Sequence, residues 1–142
     1  MPQIARQIAP RIHTSVRALA VASLLAAGSA PAWSLDLSTK AGLQAAMETY
    51  VEQQMVDGKF LYLDKQNGQA KTLHPVTAHP MVFTMGANYV LCFDFRDDQG
   101  KDVNLDLYMA RKGNSFVVFN TEVADHQMLE KFIAEGKVKT TE

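Results

Sequence analysis

Cysteine is nearly absent from this 142-residue chain, whose single one is Cys92. No intrachain disulfide can form, so the fold must rest on its hydrophobic core even in an oxidising compartment. Long apolar runs are missing as well. The longest has a core of about eleven residues, near positions 18–27, whereas a membrane-spanning helix needs about twenty. We therefore expect no stable membrane anchor.

Acidic residues are absent from the first 32 positions, which carry three arginines. The arginines precede the apolar run, and small residues follow it at positions 29–32. A basic start, an apolar middle and a small-residue end are typical of a cleavable export signal. We predict cleavage between Ala32 and Trp33 and a periplasmic or secreted protein. A mitochondrial transit peptide is the alternative, because the segment is basic and acid-free.

An excess of positive charge is also missing. Removing the three leader arginines from 14 basic residues leaves 11 against 15 acidic ones, a net charge of −4. This mild acidity argues against nucleic acid and anionic membrane surfaces as partners. The remaining chain of about 110 residues is enough for one domain that buries roughly two-thirds of its unfolded surface.

The first predicted element is a helix over residues 39–56. Apolar residues recur there at helical spacing, beginning with Leu43 and ending with Met55. Ser38 is a suitable N-cap, and Gly58 is a suitable helix end. The spacing predicts one buried stripe.

Strands are predicted from residue 60, where the apolar period changes to two. Asn67-Gly68 predicts a hairpin turn between strands at 60–63 and 70–76. Residues 81–85 resume an extended pattern. A second hairpin turns at Asp98-Gln99-Gly100, and a one-residue slip there would bury aspartates. Its register places these residues opposite each other: Leu91 and Leu107, Cys92 and Asp106, Phe93 and Leu105, Arg96 and Asp102.

A further strand over residues 115–123 and a closing helix ending at Glu135 complete the prediction. The strand is expected to place Val117, Phe119 and Val123 on the core side. Asp125 is the expected cap of the helix. Its expected apolar side comprises Met128, Leu129, Phe132 and Ile133. We thus predict a signal at 1–32, a lead segment at 33–37, one domain at 38–136 and a flexible tail at 137–142.

The predicted fold class is α+β: an N-terminal helix packed on a curled antiparallel meander of four to five strands, with a short C-terminal helix. Two stretches, Tyr62–Gly68 and Cys92–Tyr108, give the chain a resemblance to small exported bacterial proteins of uncharacterised function. The element order resembles cystatin-like helix-on-sheet domains. The resemblance implies a fold and no activity.

Three motifs are candidate sites of chemistry. Gln54-Met-Val56-Asp-Gly58 matches the Q-x-V-x-G motif of cystatins, but it closes a helix instead of forming a hairpin tip, which argues against a cysteine-protease inhibitor. His79 and Met81 are ligand types that copper(I) prefers, so they are candidate metal ligands. Cys92 faces Asp106, and a neighbouring carboxylate disfavours the thiolate a nucleophile needs. We predict no catalytic residue and no cofactor.

The outer face of the sheet is the candidate binding surface. It combines a polar end with an apolar end that carries Val90, Tyr108, Ala110, Phe116 and Val118, and the closing helix is expected to cover the apolar end. The candidate ligand-binding residues are Asp94, Arg96, Asn104, Asp106, Tyr108 and Asn120.

The function expected from this surface is that of a small exported binding or accessory domain for a protein or small-molecule ligand. The alternative is a small enzyme or a copper or other metal carrier that uses the acidic cluster or the His/Met segment.

Overall fold

A computed structural model of the chain describes residues 35–124 and 126–141. The predicted export signal at 1–32 lies outside the described residues. No helix in the described part is long and apolar enough to cross a membrane.

The elements are α1 (Leu37–Gln53), β1 (Met55–Val56), β2 (Lys59–Asp64), β3 (Gln69–Ala78), β4 (Phe83–Met85), β5 (Asn88–Arg96), β6 (Asp102–Lys112), β7 (Ser115–Ala124), α2 (Gln127–Ala134) and β8 (Lys139–Thr140). The predicted α+β class is confirmed, with eight strands instead of four to five.

The sheet is antiparallel throughout and is centred on β5. One edge of β5 pairs with β3 and β4, while the other edge pairs with β6, which in turn pairs with β7. Strands β2 and β1 extend the sheet beyond β3, and β8 lies beside β4. Pro75 lies where the β3–β5 register shifts. A proline has no N–H to donate to a ladder, so an irregularity is where a strand tolerates it.

Helix α1 begins two residues before the predicted start. Its N-cap is Asp36, whose carboxylate accepts the backbone N–H of Thr39 at 2.9 Å and the Thr39 hydroxyl at 2.7 Å. Ser38, the expected cap, instead donates its hydroxyl to Asp36. The helix ends at Gln53 because Met55 and Val56 pair with β2, and Asp57-Gly58 form the intervening turn with positive φ. The expectation that the helix runs to residue 56 and that Gln54–Gly58 closes it is therefore wrong, because this segment leads into the tight β1–β2 hairpin. Leu43, Met47 and Val51 form the buried stripe.

The β5–β6 register is confirmed at every predicted pair. Leu91, Leu105 and Leu107 are fully buried on the face that α1 covers. Gly100 takes the left-handed conformation, with φ 80°, that closes the turn. The inner core therefore lies between α1 and this face of the sheet.

A β-bulge in β7 makes the predicted core side of that strand wrong. Tyr108 pairs with Asn120 but Met109 pairs with Val118, so Phe119 is one extra residue, and the alternation reverses at that point. Phe116 and Val118 consequently pack in the inner core, not on the outer face. Val117 and Phe119, expected inside, are 36% and 54% exposed.

The segment expected to be a flexible tail is part of the sheet. Gly136, with φ 69°, turns the chain back after α2, and β8 then pairs with β4. Val138 is buried, and the hydroxyl of Thr141 donates to the carbonyl of Val82 at 2.6 Å. The domain therefore extends to residue 141 at least.

A second core lies on the outer face of the sheet, under α2. Its buried members are Phe83, Val90, Cys92, Tyr108, Leu129 and Val138. Leu129 and Phe132 supply the contacts from the helix, whereas Met128 and Ile133, expected to join them, are each 42% exposed. Asp125, the expected cap, lies outside the described residues. The closing helix therefore covers Val90 and Tyr108, as expected, whereas Phe116 and Val118 of the predicted apolar set lie in the inner core instead.

Candidate metal centre

Cys92 and Asp106 lie opposite each other on the outer face of β5 and β6, and both are buried. The Sγ–H of Cys92 donates to Oδ1 of Asp106, with 3.1 Å between the atoms. Burial raises the pKa of the Cys92 thiol strongly, and the charge of Asp106 raises it further. The thiol is therefore neutral at physiological pH.

His126 reaches the same carboxylate from the connection between β7 and α2. Its backbone is left-handed, with φ 56°, and its Nδ1 lies 2.6 Å from Oδ1 of Asp106. The side chain of Asp106 is only 3% exposed. Burial raises the pKa of Asp106, and the hydrogen bonds from Cys92 and His126 oppose that rise. The two donors thus compensate for burying a carboxylate.

The three side chains form a cluster whose ligand atoms are close enough to share one metal ion. One ligand atom from each lies within 4.8 Å of the other two. Zinc bonds of about 2.0–2.3 Å to sulfur, nitrogen and oxygen hold such atoms about 3–4 Å apart, so small side-chain movements would seat an ion. Thiolate and imidazole suit zinc and copper and disfavour magnesium and calcium. Three protein ligands leave a fourth position open.

Tyr108 follows Asp106 on the same face of β6 and is 3% exposed. Its hydroxyl is the one buried side-chain oxygen or nitrogen in the described residues without a hydrogen-bond partner. Burial raises the pKa of Tyr108 to about 12, and the nearby charges of Asp106 and Glu122 contribute. The neutral phenol therefore keeps a hydrogen-bond donor that no described residue accepts.

A second polar cluster occupies the next rung of the same two strands. Nε2 of His79 lies 2.6 Å from Oδ2 of Asp94, and Asn104 donates its side-chain N–H to the other carboxylate oxygen. The backbone N–H of His79 donates to the carbonyl of Cys92, which fixes the segment after β3. Met81, the other predicted metal ligand, is 46% exposed.

The remaining two residues of the predicted ligand-binding set lie outside both clusters. Arg96 is exposed and donates to Asp102 at 3.0 Å, as the predicted cross-strand pair requires. Asn120 is also exposed, and its side-chain N–H donates to Glu122 at 3.4 Å. The structure therefore gathers Asp94 with Asn104 and brings Asp106 next to Tyr108.

The third member of the main cluster, His126, was not among the predicted site residues. The strand alternation predicted the contact of Cys92 with Asp106, but His126 lies in a connection, where no periodicity applies. The available signal was a histidine in the first turn of a predicted helix that was expected to cover the outer face. That signal places His126 near the outer face of the sheet, but it does not indicate which side chain His126 contacts.

Comparisons of the chain with protein-family models, with curated proteins and with solved structures found no match. The chemistry of the site is therefore the basis for assigning a function.

Proposed function

We propose that the protein is a small exported binding domain that holds one divalent transition-metal ion of the zinc type. The ligands are Sγ of Cys92, a carboxylate oxygen of Asp106 and a ring nitrogen of His126. The observation that carries the proposal is the convergence of three different ligand types within 4.8 Å on a buried part of the sheet.

Metal binding suits this cluster better than nucleophilic catalysis does. A nucleophilic cysteine needs a lowered pKa and a base that takes its proton. Here burial and Asp106 raise the pKa of Cys92, and the carboxylate lies between the thiol and His126. A bound cation has the opposite effect on the thiol, because its positive charge stabilises a thiolate beside a carboxylate. Binding would release the thiol proton and, if Nδ1 is the ligand, would leave the ring proton of the neutral imidazole on Nε2.

The ion would also join α2 to the sheet. His126 directly precedes Gln127, the first residue of α2, while Cys92 and Asp106 belong to the central strands. A bond to His126 would therefore hold the helix over the outer core. Because such a ligand binds the folded state alone, it would raise the free energy of unfolding in proportion to the logarithm of its concentration.

Calorimetric titration of the full chain with zinc tests this function. We expect one bound ion per chain, and a loss of at least about tenfold in affinity for Cys92→Ser and for His126→Gln. His74→Gln is the matched control, because His74 is half-exposed and pairs with Asp98. Far-UV circular dichroism confirms that each variant folds.

Two results would contradict the proposal. If the wild-type protein takes up no zinc, the cluster has only a structural role, in which two donors hydrogen-bond a buried carboxylate. Equal zinc affinity in wild type, Cys92→Ser and His126→Gln would place the ion elsewhere on the chain.

Export is the second part of the proposal, and the acid-free leader with its apolar run and small-residue end supports it. Expression in a Gram-negative host followed by mass spectrometry of the periplasmic fraction tests it. The expected mature protein begins at Trp33. A full-length product confined to the cytoplasm would contradict it.

A further inference from the structure

A cleft of about 820 Å³ lies on the inner side of the sheet, separate from the metal cluster. It lies between the β2–β3 hairpin, the end of α1 and the neighbouring ends of β6 and β7. Its volume is in the range of about 300–1,000 Å³ that small-molecule sites occupy. We refer to it as the hairpin cleft.

Aromatic rings line the base of the hairpin cleft. Phe60 is 2% exposed and packs against Phe95, with 4.9 Å between ring centroids. Tyr50 and Tyr62 are partly buried against the same core. Burial raises the pKa of Tyr62, so its phenol is neutral. Flat, neutral rings at the base favour a ligand with a flat apolar body.

Lysines dominate the rim of the hairpin cleft. Lys65, Lys71 and Lys101 line it, against the carboxylates of Asp64 and Glu122. Lys71 pairs with Asp64, and Nζ of Lys65 lies 3.3 Å from Glu122. Lys101 has no ion-pair partner in the described part of the chain. Three lysines and two carboxylates therefore line the cleft, and the charge of the neighbouring Asp97 also reaches Tyr62.

The contact between Lys65 and Glu122 joins the turn after β2 to β7 at the cleft. Lys65 belongs to the turn after β2, and its Nζ also donates to the carbonyl of Thr121 in β7 at 3.5 Å. The side chain of Lys65 is 67% exposed, so the ion pair is screened by solvent and weak. An incoming anion can therefore compete with Glu122 for this lysine.

We propose that the hairpin cleft binds a small organic anion with an aromatic body. The ring lies against Tyr50 and Tyr62, and the anionic group meets Lys101 and Lys65. The hairpin cleft shares no residue with the metal cluster, so the two proposals are tested independently of each other.

Chemical-shift titration of the isotope-labelled full chain with 2-naphthoate tests the proposal. We expect shifts at the amides of Tyr50 and Tyr62 and an affinity at least about fivefold weaker for Lys101→Glu. Lys139→Glu, an exposed charge reversal in β8, is the control and is expected to leave the affinity unchanged. Tyr62→Leu keeps an apolar side chain and is expected to weaken binding, because the flat ring is lost.

The neutral analogue 2-naphthamide distinguishes charge recognition from simple apolar adsorption, and it is expected to bind more weakly than 2-naphthoate. Equal affinity for the two molecules would overturn the proposal. So would shifts spread over the surface, or an affinity that Lys101→Glu does not change.

Discussion

Removing the hydroxyl of Tyr108 tests the description of the outer core most sharply. The ring packs among buried apolar residues under α2 and lies 6.5 Å from the ring of Phe119, centroid to centroid. Its hydroxyl is buried and has no hydrogen-bond partner in the described residues. A buried, unsatisfied hydroxyl costs about 1–3 kcal/mol. Tyr108→Phe keeps the ring and removes that cost, so it is expected to stabilise the metal-free domain by about 1–2 kcal/mol.

Urea unfolding of the full chain in the presence of a chelator measures this change. In thermal unfolding, a domain of this size is expected to gain roughly 4–8 °C in Tm for each kcal/mol. Tyr89→Phe is the matched control, because Tyr89 is only partly buried and lies across the sheet in the inner core; a change within about 0.5 kcal/mol is expected. A loss of stability in Tyr108→Phe would refute the reasoning, since it would show that the hydroxyl is hydrogen-bonded.

The remaining predictions concern the bulge, one ion pair and the thiol. Phe116→Ala is expected to lower the free energy of unfolding by about 3–5 kcal/mol and Phe119→Ala by about 1 kcal/mol or less, measured in denaturant; equal losses would contradict the bulge. The Lys71 ammonium lowers the pKa of the Asp64 carboxyl below its usual 3.8. The stabilisation from this ion pair is therefore fully present above pH 3.8, and it is lost as the pH falls through the lowered pKa of Asp64. Lys71→Gln is therefore expected to raise the Asp64 pKa in an NMR titration, and an unchanged value would argue against the pair. Since burial raises the Cys92 pKa, iodoacetamide at pH 8 is expected to alkylate the unfolded, metal-free chain much faster than the folded one, as mass spectrometry would show. Equal rates would place the thiol at the surface.

The central hairpin was predictable because one register alone satisfies both of its faces. Shifting β5 by one residue against β6 would bury a series of aspartates, so the alternation fixes the partners of Leu91 and Phe93. The alternation also predicts Cys92 opposite Asp106. It does not indicate whether Asp106 is buried, and the structure buries this carboxylate and satisfies it with two donors.

The bulge and the histidine contact were not predictable for different physical reasons. Strand β7 is apolar on both faces around residues 116–119, so its alternation does not indicate where an extra residue is inserted. His126 meets Asp106 through the path of a connection, and that path depends on how α2 packs. The tail prediction failed similarly, because Val138 is buried only when Gly136 turns the chain toward β4.

The absorption spectrum of the full chain with one equivalent of cobalt(II) tests the central claim most directly. Cobalt reports both the ligand type and the coordination geometry of a zinc site. We expect a thiolate-to-cobalt charge-transfer band in the near-ultraviolet and intense visible bands of tetrahedral cobalt, with the charge-transfer band lost in Cys92→Ser. A weak spectrum of octahedral, oxygen-ligated cobalt that is identical in wild type and Cys92→Ser would contradict a metal centre at Cys92, Asp106 and His126.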